Sequence, residues 1–594
     1  MTFSSPDPFI TRPTLTGTFG MAASTHWLAS GTAQAVLERG GNAFDAAVAA
    51  GFVLQVVEPH LNGPGGDLVG IVAPSGGRPA VLMGQGPAPA GSSAEAYRSL
   101  GLTDVPGSGF LAAAVPGAVD AWLLLLRDHG TWEASDVWEF ARGYARDGHP
   151  LVAGAAATIA RVADLFETEW TASAAQWLPA GRAPLAGELV VNTAWADTID
   201  RLLAAGRRGS TREARIDAIR DEWAASVAAE IETSVAEPVL DSSGERHAGV
   251  LRASDLAGFR ASWEEPVAAD FRGHTILKPG AWSQGPALLQ TLAILDGETD
   301  DALDPSTEAG VHLVSEALAL ALADREAYYG DVDGVPLDRL LSADYARERR
   351  ALIGETASLE LRPGHVDGVE LRLDSSATRT ASFAADPTTG EPTVAPTGVT
   401  RGDTCHVDVV DRFGNLVSIT PSGGWLQSSP YLPTLGFALG TRLQMTRLEP
   451  GLPTTLTPGR RPRTTLTPTV VLRGGEPYAA LGSPGGDQQD QWQLLFLLRH
   501  LVGGWDLQEA IDAPAFHTTS IVGSFWPREF TPGGLVIEDR FGDAIIEALE
   551  RRVHRVERAG SWALGRLSVV TRGTDGVLRA AANPRGAQGY AVGR

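Results

Sequence analysis

The composition of the chain changes where a linker-like segment meets a strand-forming segment. Residues 374–403 are rich in Ser, Thr, Ala, Pro and Gly, a composition typical of a linker. Directly afterwards, residues 404–411 alternate like a β-strand, residues 412–415 are typical of a turn, and residues 416–420 predict a second strand. A hairpin therefore begins where the linker ends.

The composition is that of an ordinary soluble globular protein. Of the 594 residues, 43% are hydrophobic and 20% are charged, so the chain is long enough to bury a sizeable core and shows no sign of disorder. The 68 glycines and 38 prolines predict many tight turns, and loops should therefore shape any site.

Charge and cysteine usage exclude several classes of protein. A net charge of −23 argues against a nucleic-acid partner, because binding along phosphates needs clustered Lys and Arg. Cys405 is the only cysteine, which excludes an internal disulfide and a cysteine-clustered metal site. The N-terminal residues do not resemble a secretory signal and no apolar run is long enough to span a bilayer, so we expect a cytoplasmic protein without a membrane partner.

The clearest helical pattern before the linker predicts two helices, which a glycine-rich loop follows. Apolar residues at helical spacing predict a first helix that ends at Gly40 and Gly41. Asn42 is a good N-cap for a second, almost wholly apolar helix that Pro59 ends and that should be buried between layers. The loop at residues 60–67 could be a tight connection before a strand, or it could bring backbone amides close to a ligand.

Several common catalytic motifs are missing a required residue. The chain has no Gly-x-Ser-x-Gly elbow and no His-Glu-x-x-His, and the loop at residues 482–486 lacks the Lys-Ser/Thr of a phosphate-binding loop. That loop follows a predicted strand ending at Leu481 and precedes a predicted helix at residues 489–498. On frequency alone, His26, His60 and His406 are structural residues.

Eight ordered segments carry a resemblance that covers nearly the whole chain. They are GGNAFDAAVAAGFVLQVVEPHLNGPGGD at 40–67, AAAVPGAVDAW at 112–122, ADREAYYGD at 323–331, TCHVDVVDRFGNLVSIT at 404–420, RPRTTLTPTVV at 461–471, GSPGGDQQ at 482–489, AIDAPAFH at 510–517 and NPRGAQGYAVG at 583–593. In this order they resemble the gamma-glutamyltransferase family of N-terminal-nucleophile (Ntn) hydrolases.

The resemblance implies a fold and a maturation step. The fold would be α+β, a four-layer αββα sandwich, and the chain would be a zymogen that cuts itself between Asp403 and Thr404. The products would be a large fragment, 1–403, and a small fragment, 404–594, which stay together as a heterodimer and could pair further. Cleavage frees the α-amine of Thr404, whose pKa of about 7.7–8.0 suits a general base beside the hydroxyl nucleophile of the same residue. No metal or organic cofactor is implied.

The resemblance also implies roles for other residues. The N–H groups of Gly485 and Gly486 match the family's oxyanion donors, and Ser422 matches a hydroxyl that supports the nucleophile. Thr464 and Thr465 stand where the family has a Ser-Ser pair that contacts the substrate carboxylate. For each of them, the alternative is an ordinary strand or turn residue. Cys405 could be mistaken for a nucleophile, but we interpret it as a packed strand residue.

The two amino-acid anchors of the family are changed. The arginine expected after an Ala-Pro-Ala stretch is Ala94, the acidic pair expected after Gln444-Met445 is Thr446-Arg447, and an expected asparagine is Gly424. Arg447 would repel the ammonium group of a gamma-glutamyl substrate, whereas it could bind an acyl group that carries a carboxylate. The alternative is that Arg447 pairs with an internal acid such as Glu449.

Three functions follow. The favoured one is an autoprocessed hydrolase that cleaves a small-molecule amide through an acyl-Thr404 intermediate, with a non-gamma-glutamyl acyl group. The second is a true glutathione or gamma-glutamyl hydrolase or transferase with rearranged anchors. The third is a non-catalytic relative that binds ligands or serves as a scaffold.

Overall fold

The computed structural model of the chain describes residues 3–374, 404–526 and 528–594, together with the backbone of 393–394 and 400–401. Most of the predicted linker and Asp403 therefore lie outside the described residues. The strands are β1 (Leu15–Gly17), β2 (Gly20–Ser24), β3 (Asp67–Ala73), β4 (Ala80–Gly84), β5 (His149–Pro150), β6 (Leu189–Val190), β7 (Val239–Leu240), β8 (Arg246–His247), β9 (Ser262–Glu264), β10 (Val267–Phe271), β11 (His274–Lys278), β12 (Thr393–Val394), β13 (Thr400–Arg401), β14 (Val407–Asp411), β15 (Leu416–Ser422), β16 (Thr469–Arg473), β17 (Glu476–Gly482), β18 (Phe516–Thr518), β19 (Gly534–Ile537), β20 (Arg555–Arg558), β21 (Ser568–Arg572), β22 (Leu578–Ala582) and β23 (Tyr590–Gly593).

The α-helices lie mainly between strands β2 and β14. They are α1 (Trp27–Glu38), α2 (Ala43–Val57), α3 (Ala94–Ser99), α4 (Ala118–His129), α5 (Ala134–Asp147), α6 (Ala153–Arg161), α7 (Ala163–Thr168), α8 (Thr171–Trp177), α9 (Thr193–Gly206), α10 (Arg212–Glu222), α11 (Ala228–Val235), α12 (Ala253–Ala257), α13 (Gly285–Leu295), α14 (Glu308–Tyr328), α15 (Leu337–Leu340), α16 (Ala343–Arg350), α17 (Gln489–Leu497), α18 (Leu507–Asp512) and α19 (Asp543–Arg551). Among the described residues, no helix is long and apolar enough to cross a membrane.

Two seven-stranded antiparallel sheets organise the molecule. The first has the order β1-β22-β21-β17-β16-β11-β10, and the second has the order β23-β2-β14-β15-β3-β4-β9. Each sheet combines strands from before and after the junction at residue 404: β22 pairs with β1 and β16 with β11 in the first sheet, and β14 pairs with β2 and β15 with β3 in the second. The two parts of the chain are therefore interleaved by backbone hydrogen bonds.

The two sheets share a buried cluster of apolar side chains and carry helices on their other sides. Val410 of β14 belongs to this shared cluster, together with residues of the first sheet such as Val470 and Ala480. Its neighbour Val409 points the opposite way, into a cluster with α1, α2, α4 and α5. The period of two along a strand produces this alternation. A third cluster packs α13, α14 and α17 against the first sheet.

Helices α1 and α2 confirm the predicted boundaries. Gly40 has φ +95°, a conformation that glycine adopts without strain, where α1 ends. Asn42 accepts hydrogen bonds from the first turn of α2, and Asp45 accepts one from the backbone of Asn42, which completes a capping box. Every residue of α2 is buried, as its apolar sequence predicts.

Candidate active site

The register of the β14–β15 hairpin places Thr404 opposite Ser422. An isolated antiparallel bridge joins these two residues, and the Cys405 N–H donates to the Pro421 carbonyl at 3.0 Å. The Thr404 Oγ1 hydroxyl donates to Ser422 Oγ at 3.4 Å, and both residues are 1% exposed. Two hydroxyl groups that lie 18 positions apart in sequence thus meet at a buried position at the end of the β14–β15 hairpin.

The glycine-rich loop at residues 60–67 packs its backbone against the residues that follow β15. A Cβ atom at Gly66 would lie 2.1 Å from the Ser422 carbonyl oxygen, and one at Gly63 would lie 2.6 Å from the Gly424 carbonyl oxygen. Gly424 itself has φ +68°, and a Cβ atom there would lie 2.9 Å from the Gly66 nitrogen. Glycine at position 424 therefore permits a close contact beside the Thr404–Ser422 pair.

The loop at residues 482–486 begins against the same hairpin. Ser418 Oγ donates to the Leu481 carbonyl at 3.0 Å, and a Cβ atom at Gly482 would lie 2.1 Å from the His406 ring. Gly485 and Gly486 have φ values of +121° and +57°, and a 3₁₀ turn and then α17 follow. These conformations need glycine, and backbone N–H groups at a helix start favour an anion.

His406 and Cys405 are tied into the scaffold. The His406 ring nitrogens hydrogen-bond Thr420 Oγ1 at 2.9 Å and Asp408 Oδ1 at 2.8 Å. The Cys405 Sγ donates to Glu58 Oε2 at 3.0 Å. Burial, together with the Glu58 carboxylate, raises the pKa of the Cys405 thiol well above its usual value, so the thiolate needed for nucleophilic attack is suppressed.

The hydroxyls of the Thr464–Thr465 pair have different surroundings. Thr464 is fixed through its backbone, since its N–H donates to the Trp282 carbonyl and its carbonyl accepts from the Gln284 N–H, both at 3.0 Å. Its Oγ1 accepts from the Leu466 N–H at 3.2 Å. The buried Oγ1 of Thr465 has no hydrogen-bond partner in the described part of the chain. The Thr465 hydroxyl could therefore bind a ligand.

Arg447 is buried between two acids. Its Nη2 lies 2.9 Å from Glu326 Oε1 and its Nε lies 2.8 Å from Asp374 Oδ2. Arg463, which precedes the threonine pair, binds the other oxygen of Glu326 at 2.7 Å. Burial alone would raise the pKa of Glu326, but Arg463, Arg447 and Arg325 lower it to about 2. The carboxylate thus stays ionised. Arg447 and Arg463 share it, and Arg463 directly precedes Thr464 and Thr465 in sequence.

Gln444 and Ala94, two other positions named from the sequence, contact neighbouring side chains of the protein. Gln444 Nε2 donates to Thr441 Oγ1 at 3.2 Å, and Ala94 packs in an apolar cluster with Leu443 and Leu448. Arg528, which no sequence motif indicated, donates to the carbonyl oxygens of Gln444 and Thr446 at 2.5 and 2.6 Å. Arg528 thereby holds the backbone of the changed anchor.

A second arginine missed from the sequence is Arg442. Its Nε and Nη2 atoms bind the two oxygens of Asp67 at 2.8 and 2.7 Å. Asp67 is the residue of β3 that pairs with Ser422. Arg442 lies two positions before the Gln444-Met445 motif, which gave the only sequence signal near it. Within the described residues, no group of three His, Cys, Asp or Glu side chains could hold a metal ion.

The fold and the site define a class of enzyme. The sequence model of the gamma-glutamyltranspeptidase family matches residues 29–593, so the chain belongs to this family of Ntn hydrolases. Among its relatives, the glutathione hydrolase-like YwrD proenzyme of Bacillus subtilis (strain 168) is 30% identical over 585 residues, which cover 97% of this chain and 99% of that protein. The acylase ACY 1 proenzyme of Pseudomonas sp. (strain SE83) is 29% identical, over 95% of this chain and 92% of that protein.

Solved structures show the same mixture of helices and sheets. The structure of LmbA2991HD is 54% identical with a TM-score of 0.93, and the match covers 99% of this chain and 100% of that one. The cephalosporin acylase from Bacillus halodurans is 26% identical with a TM-score of 0.81, over 99% of this chain and 98% of that one. The resemblance seen in the sequence is therefore confirmed at the level of the family and of enzymatic function.

Proposed function

We propose that this protein cuts its own chain before Thr404 and then uses that threonine to hydrolyse an amide. The observation that carries the proposal is the buried Thr404–Ser422 hydroxyl pair at the end of the β14–β15 hairpin. The glycine loop that ends at Gly486 begins against the same hairpin, at His406. Two relatives that span almost the whole chain are named as proenzymes, which supports a processing step.

In the precursor, the Thr404 hydroxyl attacks the carbonyl carbon of Asp403. The peptide nitrogen leaves as the α-amine of Thr404, so an ester between Asp403 and Thr404 Oγ1 replaces the amide. Water then cleaves this ester, which releases the Asp403 carboxylate and restores the hydroxyl. The freed amine, with a reference pKa of about 7.7–8.0, can accept a proton near neutral pH.

The mature cycle uses the same atoms on a substrate. Thr404 Oγ1 attacks the substrate carbonyl while the α-amine takes the hydroxyl proton, and the N–H groups of Gly485 and Gly486 stabilise the oxyanion. The proton passes to the leaving amine, and an acyl ester on Thr404 remains. Water, deprotonated by the same α-amine, hydrolyses the ester to a carboxylic acid. Ser422 holds the attacking oxygen in place.

The acyl group lacks an α-ammonium in this proposal. Ala94 is apolar and packed, and Arg447 stands where an acid would bind an ammonium group. Arg447 Nη1 is buried without a hydrogen-bond partner in the described ranges, as is Thr465 Oγ1, so both can donate to a substrate carboxylate. The charge of Arg447 is already balanced by Glu326 and Asp374, which weakens its pull on a distant anion.

We also propose that the clusters and sheets described above are the four layers of an αββα sandwich. The pairing of β14 with β2 and of β15 with β3 would keep fragments 1–403 and 404–594 together after cleavage. Separation would require breaking both seven-stranded sheets.

Labelling with an electrophilic acyl analogue tests the proposal. Covalent incorporation at Thr404, absent in the Thr404→Ala variant, is the expected result. Binding without incorporation would instead favour the non-catalytic relative. Turnover of glutaryl and succinyl anilides is then compared with that of a gamma-glutamyl anilide, and preference for the last would contradict the proposed acyl group.

The role of Arg447 needs a variant that keeps the local charge balanced. Arg447→Asp would bring a third carboxylate beside Glu326 and Asp374, so the double variant Arg447→Met with Asp374→Asn is better matched. If Arg447 binds the substrate carboxylate, this variant loses the preference for glutaryl over butyryl anilide. An unchanged ratio would assign Arg447 to the scaffold.

A further inference from the structure

Three large apolar side chains form a small cluster separate from the main cores. Trp425, Met445 and Phe525 are buried against one another, with exposed fractions of 1%, 2% and 7%. No other residue belongs to this cluster among those that the structure describes. We call these three residues the apolar wall.

Each residue of the apolar wall adjoins a different part of the candidate active site. Trp425 lies three positions after Ser422, and its indole N–H donates to the Leu61 carbonyl at 2.8 Å, in the glycine-rich loop. Phe525 follows Ser524, whose N–H and Oγ donate to the Asp487 carboxylate at 2.8 and 2.6 Å, directly after Gly486. Trp425 therefore contacts the glycine-rich loop, and Phe525 adjoins a residue that is bonded to the start of the helix after Gly486.

Met445 brings in the changed anchor. It ends the 3₁₀ turn at Arg442–Met445 and directly precedes Thr446 and Arg447. Arg442 Nη1 lies 3.6 Å from Met445 Sδ, and the Arg442 guanidinium lies 5.6 Å from the centre of the Trp425 ring. Because the same guanidinium binds Asp67 through two hydrogen bonds, the position of the wall is fixed relative to the strand that pairs with Ser422.

The surroundings of the wall favour an apolar substrate part. Arg442, Arg447 and Arg528 all have acidic partners, and Ala94 packs among leucines. An alkyl chain beside these paired side chains gains free energy from leaving water. The thioether and the aromatic rings adapt to varied apolar shapes.

We propose that the apolar wall binds the body of the acyl group and makes the enzyme selective for N-acyl amides with an extended apolar chain. The proposal rests on the proposed function and names its substrate class. Each methylene that the wall buries should raise kcat/KM about fourfold, which corresponds to about 0.8 kcal/mol. The wall acts on selectivity and not on the chemical step, because none of its side chains carries a group that could attack or transfer a proton.

The test compares acetyl, butyryl and hexanoyl anilides in the wild type, in Phe525→Ala and in Phe541→Ala. Phe541 is a matched control, since it is 8% exposed and packs in the separate cluster of α13 and α14. We expect kcat/KM to rise along the series in the wild type and in Phe541→Ala. In Phe525→Ala, the ratio of kcat/KM for the hexanoyl anilide to that for the acetyl anilide should be at least fivefold smaller. Equal losses for all three substrates in Phe525→Ala, or no rise in the wild type, would overturn the proposal.

A binding measurement separates this proposal from the proposed function. Titration of the processed wild type with acetate, butyrate and hexanoate reports the wall without any catalysis, because these acids carry no amide that Thr404 could cleave. Increasing affinity along this series, reduced by Phe525→Ala, supports the wall even if wild-type Thr404 takes no acyl label. Equal affinities for the three acids would refute the wall, whether or not Thr404 is labelled.

Discussion

At the scale of single residues, the proposed mechanism depends on two hydroxyls in one buried pair. Thr404 and Ser422 are brought together by hairpin register; the alternating sequence after residue 403 predicted the hairpin but not this pairing. The ion pairs around these two residues could not be predicted. Arg447 meets Glu326 across 121 positions of sequence, and Arg442 meets Asp67 across 375, because only the packing of the sheets and loops sets these distances.

Ser422→Ala should slow acylation without preventing folding. A hydrogen bond to a group that becomes charged contributes about 1.5–3 kcal/mol, so kcat should fall roughly 10- to 150-fold with little change in KM. Steady-state kinetics on the best anilide measures this loss. Ser422→Thr, which keeps a hydroxyl, should recover part of the rate. A kcat within twofold of the wild type in Ser422→Ala would show that this hydroxyl has no supporting role.

Gly66→Ala tests the close packing beside the nucleophile. The new Cβ atom would lie 2.1 Å from the Ser422 carbonyl oxygen, so the backbone must shift at a cost of about 1–3 kcal/mol of unfolding free energy, and activity should fall too. Gly31→Ala is the control, because a Cβ atom there has nothing within 4 Å and helix α1 should gain stability. Chemical unfolding and kcat/KM are measured for both. Equal effects of the two variants would contradict this interpretation of the loop.

At the scale of elements, a buried ion pair joins the site-forming segments. Lys278, the last residue of β11, lies 2.8 Å from Asp490 in the first turn of α17. The Lys278 ammonium also donates to the Thr467 carbonyl at 2.8 Å and to Thr469 Oγ1 at 2.9 Å. The pair therefore holds the helix after the Gly485–Gly486 turn against the strand that follows Thr464 and Thr465.

Removal of one charge of the Lys278–Asp490 pair should reduce the unfolding free energy more than removal of both charges. Burial lowers the pKa of Lys278 and raises that of Asp490, so each charge depends on the other. Lys278→Met should reduce the unfolding free energy by about 3–5 kcal/mol, and the double variant with Asp490→Leu should recover a substantial part. Urea unfolding of the wild type, both single variants and the double variant completes the cycle. Additive losses would show that the two charges do not interact.

At the scale of the whole molecule, the sequence predicted the family, helices α1, α2 and α17, and the central hairpin. Helix α2, strand β15 and the end of strand β17 lie close to their predicted limits because periodicity, capping residues and turns are local signals, whereas β14 begins at Val407, three residues after its predicted start. The order of strands in the two sheets was not predictable, since neighbours such as β1 and β22 lie at opposite ends of the chain. Sheet order depends on tertiary packing that no local pattern encodes.

Buried histidines should make the whole molecule sensitive to acid. Burial lowers the pKa values of His26, His60 and His517 from 6.5 to about 3, so the folded state keeps them neutral while the unfolded chain takes up protons below pH 6.5. The unfolding free energy should therefore fall as the pH decreases from 6.5 towards 5, by up to about 1.4 kcal/mol per pH unit for each histidine. Urea titrations at pH 7.0 and 5.0 measure the fall. His517→Gln should reduce it, and equal stability at both pH values would contradict the assignment.

The most direct measurement is the intact mass and N-terminal sequence of the purified protein, with Thr404→Ala as the control. We expect two wild-type chains, one of them beginning Thr-Cys-His, and a single uncut chain in the variant. Wild-type protein that hydrolyses its substrate while its chain remains uncut before Thr404 would contradict catalysis by a freed N-terminal threonine.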